Sequence, residues 1–169
     1  LDAEVVFAIS DVSDAPILAA AEERGIPNLH VNPGDANAKI SPAAQKEIID
    51  RLHAAEVDVV ILAGFMRILA PPLLDEFSGR ILNIHPSLLP QFPGLEAWKQ
   101  ALEAGANETG CTVHLVNETI DGGEILGQKS VPVEPGDSPE TLLARIHTAE
   151  HQLYPEVIAK FGAKLLATR

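Results

Sequence analysis

Asp58-Val59-Val60-Ile61-Leu62-Ala63 is apolar from Val59 onward, with no polar residue interrupting the run. A strand with one wet face alternates polar and apolar residues, whereas an unbroken apolar run marks a parallel strand covered on both faces. This stretch therefore predicts an α/β chain. Downstream, Arg80-Ile81-Leu82-Asn83-Ile84-His85-Pro86-Ser87-Leu88-Leu89-Pro90 carries a second strand. Side chains alternate faces along a strand, so Asn83 and His85 share one face and Ile84 takes the other. Pro86 has no N–H for a ladder, so the strand is predicted to stop there with both polar side chains at its carboxyl end. Ligands of open α/β sheets bind at that end.

The flanks continue the alternation. Glu4–Ile9 is predicted as a short buried strand leading into a helix, with Asp14 as N-cap, Pro16 early in the helix and Gly25 as its stop. Pro27–Val31 suits a second short strand, Asn32–Ser41 a loop, and Pro42 to Glu56 a helix with Ile48, Ile49, Leu52 and Ala55 at helical spacing. A short helix is expected around Pro71–Phe77 and another near Trp98–Ala104. Thr112–Val116 and Ile125–Val133 read as strands antiparallel to each other. The last helix starts at Asp137 or Ser138 with Pro139 in its first turn, carries Leu142, Ile146, Ala149 and Leu153 in one stripe, and is predicted to kink or break at Pro155. With no repeat, linker or low-complexity segment, residues 1–169 are expected to form one domain on a single doubly wound, mostly parallel sheet, with antiparallel strands towards the C-terminus.

Composition narrows the class. Aromatics are only 4% of the 169 residues, so the core must be aliphatic. One cysteine, Cys111, excludes an internal disulfide and a Cys-based metal cluster. No apolar run approaches the ~18 residues of a membrane span, and no basic-then-apolar leader opens the chain, so neither a membrane nor a secretory route is expected and a cytoplasmic setting is. The net charge of −12 argues against a nucleic-acid surface. Any anionic ligand would be held by backbone donors and a few cations against the general field.

Asn83 and His85, with Asp121 further on, suggest chemistry. The amide can donate to a developing oxyanion, the imidazole can transfer a proton, and the carboxylate can orient the imidazole. Each alone has a plainer explanation: Asn and His at a strand end serve as turn formers or satisfied core groups, and Asp-Gly is a common turn pair.

A wider set of segments answers that objection. Asn83–Pro90, with Gly64-Phe65-Met66-Arg67 before it and Asp121-Gly122-Gly123 after it, resembles the folate-dependent formyltransferase family. Leu62–Leu69, Phe92-Pro93-Gly94-Leu95 and Gly110-Cys111-Thr112-Val113-His114 follow in family order, so the resemblance spans nearly the whole chain. It implies a Rossmann-like formyltransferase fold. It implies transfer of a formyl group from 10-formyltetrahydrofolate, a co-substrate, to the amine of glycinamide ribonucleotide in purine (IMP) synthesis, with no metal. Asn83, His85 and Asp121 are then catalytic, with Thr112 and His114 in support. Met66, Arg67, Ile68 and Leu69, together with Val116, Asn117, Glu118 and Ile120, would bind folate; Pro86, Gly94 and Glu150 would meet the ribonucleotide. The partners implied are these two small molecules, in a monomer or homodimer.

The chain departs from the family in three places. Family members open with one further strand and a Gly/Ser/Asn-rich phosphate-binding turn, and the chain is expected to lack both, which would leave unpaired strand edges inside the sheet. A position near Ser41 is neutral where a basic residue is frequent, and Glu96 stands where many members carry His. The resemblance leaves open a formyltetrahydrofolate hydrolase, transfer to methionyl-tRNA, and a folate-binding module without turnover.

Overall fold

The computed structural model describes residues 3–34 and 39–168, which form two compact units. One unit is built chiefly from Glu4–Val60 and Phe65–Arg80, the other from Ile61–Gly64 and Ile81–Arg169.

In the first of these units, strand β1 (Ala8–Ser10) pairs in parallel with β2 (Asn28–His30), and α1 (Pro16–Glu23) lies between them in sequence. The strand starts later than Glu4–Ile9 suggested, and Val5 is 63% exposed rather than buried. Helix α1 is capped by Ala15, not Asp14, and has no side-chain cap. Pro16 at its first position needs no N–H partner and presets φ, which fixes the start one residue beyond Asp14. Its end matches expectation: Gly25 adopts φ +67°, its N–H reaches the Glu22 carbonyl and that of Ile26 reaches the Ala21 carbonyl. That pair of bonds is a Schellman cap. Within the predicted loop Asn32–Ser41, positions 35–38 lie outside the described residues. Helix α2 (Pro42–Ala54) is capped by Ser41 Oγ, which accepts the Ala44 N–H, and it buries Ile48 and Leu52 on one side.

Strand β3 (Val60–Leu62) is where the chain passes between the units, and α3 (Pro71–Glu76) packs Leu73 and Leu74 into the first. Strands β4 (Ile81–His85), β5 (Glu108–Leu115) and β6 (Ile125–Pro132) complete a four-stranded sheet in the order β3-β4-β5-β6, with α4 (Ala97–Glu103) between β4 and β5 in sequence. The expected antiparallel pair is β5/β6, and β4/β5 is antiparallel as well. The described strands thus form a parallel β1-β2 pair and a four-stranded sheet with antiparallel β4/β5 and β5/β6 pairs, within the expected α/β class. Strand β3 is the outer strand of its sheet, and Ile61 remains 38% exposed. Its apolar run is therefore not covered on both faces, contrary to the expectation from sequence.

Helix α5 (Pro139–Ala167) begins with a capping box in which Ser138 and Thr141 exchange side-chain-to-backbone bonds. It runs on through Pro155 instead of breaking there. An interior proline costs about 3 kcal/mol, but Leu153, Tyr154 and Val157 are all buried, and burying such side chains is worth about 1.5–3 kcal/mol each. The Tyr154 hydroxyl also lies 2.8 Å from the Leu62 carbonyl and 3.0 Å from that of Leu82, tying the helix to the sheet on the proline's own turn. Tertiary burial outweighs the local rule.

Candidate active site

Strand β4 ends at His85, and its pairing with β5 sets the site. Asn83 lies opposite His114, and His85 opposite Thr112. Alternation then places all four side chains on one face of the sheet, in two cross-strand pairs. Asp121 reaches the same place from the β5–β6 connection. That loop is closed by the Leu115 N–H to the Glu124 carbonyl, by Asn117 Oδ1 accepting the Thr119 N–H, and by the Gly122 N–H to the Thr119 carbonyl. Asp121 itself sits at φ +52°, a left-handed conformation that Asp tolerates better than most side chains.

The side chains form a continuous series. Asn83 Nδ2 is 3.3 Å from His114 Nε2, which is 3.7 Å from Asp121 Oδ1; Asp121 Oδ2 is 3.5 Å from His85 Nδ1 and accepts the Gly94 N–H at 2.8 Å. The side chains of His85, His114 and Asp121 are 6%, 3% and 11% exposed, so the series is nearly dry.

Hydrogen-bond logic assigns the protons. A carbonyl only accepts, so His85 Nε2, 2.9 Å from the Phe92 carbonyl, carries a hydrogen. Nδ1 is then the atom where a proton arrives and leaves, facing Asp121. By the same argument His114 Nδ1–H donates to the Leu115 carbonyl at 2.9 Å, leaving Nε2 to accept from the Asn83 amide. The two Asp121–imidazole separations exceed ordinary hydrogen-bond length, as is common where a site tightens only around its ligand.

The remaining sequence-predicted residues are distributed more widely. Pro86 ends β4, and Gly94 meets Asp121 through its backbone N–H. Val116 bonds back to the Ile81 carbonyl, Asn117 shapes the loop, and Glu118 and Ile120 are exposed, Ile120 to 60%. Met66, Arg67, Ile68 and Leu69 belong to the other unit. Met66 is 70% exposed, Ile68 is half-buried, and Leu69 is buried, so what Leu69 offers a ligand is main chain. Arg67 Nε donates to Asp11 Oδ2 at 2.8 Å. Sequence reasoning missed the Phe92 carbonyl and the side chains of Ser87 and Gln128. A carbonyl has no sequence signal, but Thr112 and His114 at i, i+2 facing an Asn/His pair could have suggested the β4/β5 pairing.

Glu150, on α5, makes no described contact with the His85–Asp121 pair. Its nearest ion-pair partner is His147 at 4.0 Å. Burial pushes its carboxyl up to about 7, and burial together with the Glu150 charge raises the Cys111 thiol to about 11. A carboxyl raised in the folded state favours its protonated form. The associated stability is present below the ordinary value of 4.5 and is lost as pH rises through 7. Glu150→Gln is therefore expected to leave stability unchanged near pH 4 and raise it by about 2 kcal/mol near pH 8. Urea unfolding at the two pH values checks this, and an equal difference at both would refute it.

An amide donor, a tautomer-fixed imidazole and a carboxylate gathered at one face of the sheet are groups that acyl transfer can use. Residues 1–158 match the family described as formyl transferase. The chain is 47% identical over 164 residues to the trifunctional purine biosynthetic protein adenosine-3 of Drosophila pseudoobscura pseudoobscura, covering 97% of this chain and 12% of that protein. It is 50% identical over 120 residues to the phosphoribosylglycinamide formyltransferase of Escherichia coli K12, covering 71% of this chain and 57% of that one. Among solved structures, glycinamide ribonucleotide transformylase 1 from Symbiobacterium toebii superposes with a TM-score of 0.85 at 49% identity, over 90% of this chain and 71% of that one. The chain belongs to the formyl transferase family. It spans little more than half of the bacterial relative and about an eighth of the insect one.

Proposed function

We propose that this chain transfers the formyl group of 10-formyltetrahydrofolate to the primary amine of glycinamide ribonucleotide, a step of purine synthesis. The observation that carries this is the unbroken series Asn83–His114–Asp121–His85 on one sheet face of a formyl transferase chain.

The amine attacks the formyl carbon and makes a tetrahedral centre with a negative oxygen. The Asn83 amide, through the N–H not given to His114, is the donor for that oxygen, worth roughly 3 kcal/mol of barrier, and the positive charge of a protonated His85 stabilises it further. The attacking nitrogen must lose a proton and the departing folate nitrogen must gain one. Asp121 faces the one ring nitrogen of His85 not held by a carbonyl, so it stabilises the protonated imidazole and relays protons between the two nitrogens, directly or through water. The bond to the ribonucleotide amine forms first, and the carbon–nitrogen bond to folate breaks as the tetrahedral centre collapses. No covalent enzyme intermediate is needed.

Met66, Arg67, Ile68 and Leu69, with Val116, Asn117, Glu118 and Ile120, are the proposed folate contacts. Pro86, Gly94 and Glu150 are the proposed ribonucleotide contacts. The proposal extends to a cytoplasmic monomer or homodimer acting on small molecules. No helix among the described residues is long and apolar enough to cross a membrane.

The test incubates the protein with 10-formyltetrahydrofolate, with and without glycinamide ribonucleotide, and follows release of deformylated folate. Release that depends on the ribonucleotide supports the transferase. Equal release without it identifies a hydrolase, and folate binding without release identifies a binding module; either result overturns the proposal.

A further inference from the structure

Three residues stand in one lateral row across the sheet: His85 on β4, Thr112 on β5 and Gln128 on β6, each opposite the next in register. We propose that Gln128, acting through Thr112 and the loop Ser87–Gly94, is a positioning residue that fixes the tautomer and orientation of the His85 imidazole. The inference rests on the role given to His85 above, although its test does not require turnover.

The Thr112 hydroxyl is fully used. It donates to the Ser87 carbonyl at 2.6 Å and accepts the Leu89 N–H at 3.0 Å and Gln128 Nε2 at 2.9 Å, which accounts for its one hydrogen and both lone pairs. Gln128 Nε2 also donates to the Leu89 carbonyl at 2.8 Å. Leu89 is thereby held at both its N–H and its C=O by a side-chain pair on the neighbouring strands. Three residues on, Phe92 adopts φ +53°, a conformation that costs a bulky residue roughly 1–3 kcal/mol and persists only where the surroundings enforce it. Its carbonyl is the group that holds His85 Nε2–H, and Ser87 Oγ braces the same turn by donating to the Gln91 carbonyl at 2.5 Å. Two residues beyond Phe92, the Gly94 N–H holds Asp121. The loop thus grips both members of the proton-relay pair, and Gln128 and Thr112 grip the loop.

Gln128 is exposed apart from its bonded amide, so it can be changed without opening the core. Gln128→Glu keeps the side-chain length but removes both donated hydrogens, and Gln128→Leu removes the polar group altogether. Nitrogen NMR of ¹⁵N-labelled histidine reads the His85 tautomer and titration curve directly. Lys129→Ala on the same strand, which removes the Lys129–Gln152 bond, controls for a general loss of β6 packing. Both Gln128 variants are expected to lower the Nε2–H tautomer population of His85 and shift its titration midpoint, while the Lys129 variant leaves both unchanged. Where the proposed reaction is measured, kcat falls roughly tenfold with KM for the formyl donor nearly constant, the pattern of a misaligned catalytic group. An unaltered His85 tautomer and titration in both Gln128 variants, or the same change in Lys129→Ala, overturns the inference. A parent protein without turnover overturns the proposed function instead and leaves the NMR comparison decisive.

Discussion

Asp121→Asn is expected to lower kcat about a thousandfold, within the range typical for loss of a positioned acid–base group, while affinity for a folate analogue changes little. The substitution preserves shape. Asn tolerates the left-handed φ of +52°, and its amide oxygen can still accept the Gly94 N–H. That same oxygen is the atom facing His85 Nδ1, so the imidazole loses the negative charge that stabilises its protonated form, while the amide nitrogen faces His114 Nε2. With Nε2–H committed to the Phe92 carbonyl and no charge facing Nδ1, the imidazole stays neutral with its lone pair on Nδ1; it can neither offer the oxyanion a positive charge nor carry a proton to the folate nitrogen, and the Asn83 amide alone is left to hold the oxyanion. Steady-state kinetics and calorimetric binding of a non-reactive folate analogue check the two halves separately. Parental kcat in the variant would remove Asp121 from the mechanism.

What the sequence made legible follows from the range of each interaction. Asn83 and His85 declare their common face because they are two residues apart on a strand that a proline terminates, and the Ser138–Pro139 start of α5 is equally local. The partners of these groups are set by non-local pairing. His114 meets Asn83 only because β4 runs antiparallel to β5, and Arg67 meets Asp11 across 56 positions. Gln128 looks like any polar residue on an outer strand until its register with Thr112 is known. The Phe92 carbonyl, which fixes the proton on His85, belongs to no side chain and leaves no mark in the sequence. Where local patterns misled, as in the break allowed for at Pro155 and the burial expected at Ile61, the deciding factor was the packing of distant segments.

Two adjacent glycines in the Asp121 loop give the sharpest stability contrast. A Cβ on Gly123 would lie 1.7 Å from the Leu115 carbonyl oxygen and 2.8 Å from its carbon, both backbone atoms that cannot rotate away. A Cβ on Gly122 would meet Thr119 at Cγ2 and Cβ, 2.5 and 2.9 Å away; Cγ2 can turn aside about χ1, and the Cβ contact needs only a small shift of an exposed loop residue. Gly123→Ala must therefore displace the β5 end itself and strain the Leu115 N–H to Glu124 carbonyl bond that closes the loop. The expected loss is about 3 kcal/mol, far above the gain of about 0.5–1 kcal/mol from a stiffer unfolded chain. Gly122→Ala should cost about 1 kcal/mol. Because Asp121 is two residues from Gly123, the same displacement moves the carboxylate, and an error of about 1 Å in such a group costs about a hundredfold in rate. Gly123→Ala should thus lose turnover even at temperatures where it remains folded. Urea unfolding and kcat, measured on both alanine variants, decide the matter: equal destabilisation of the two, or full activity in Gly123→Ala, would show that the loop does not depend on the close approach of Gly123 to Leu115 to hold Asp121 in place.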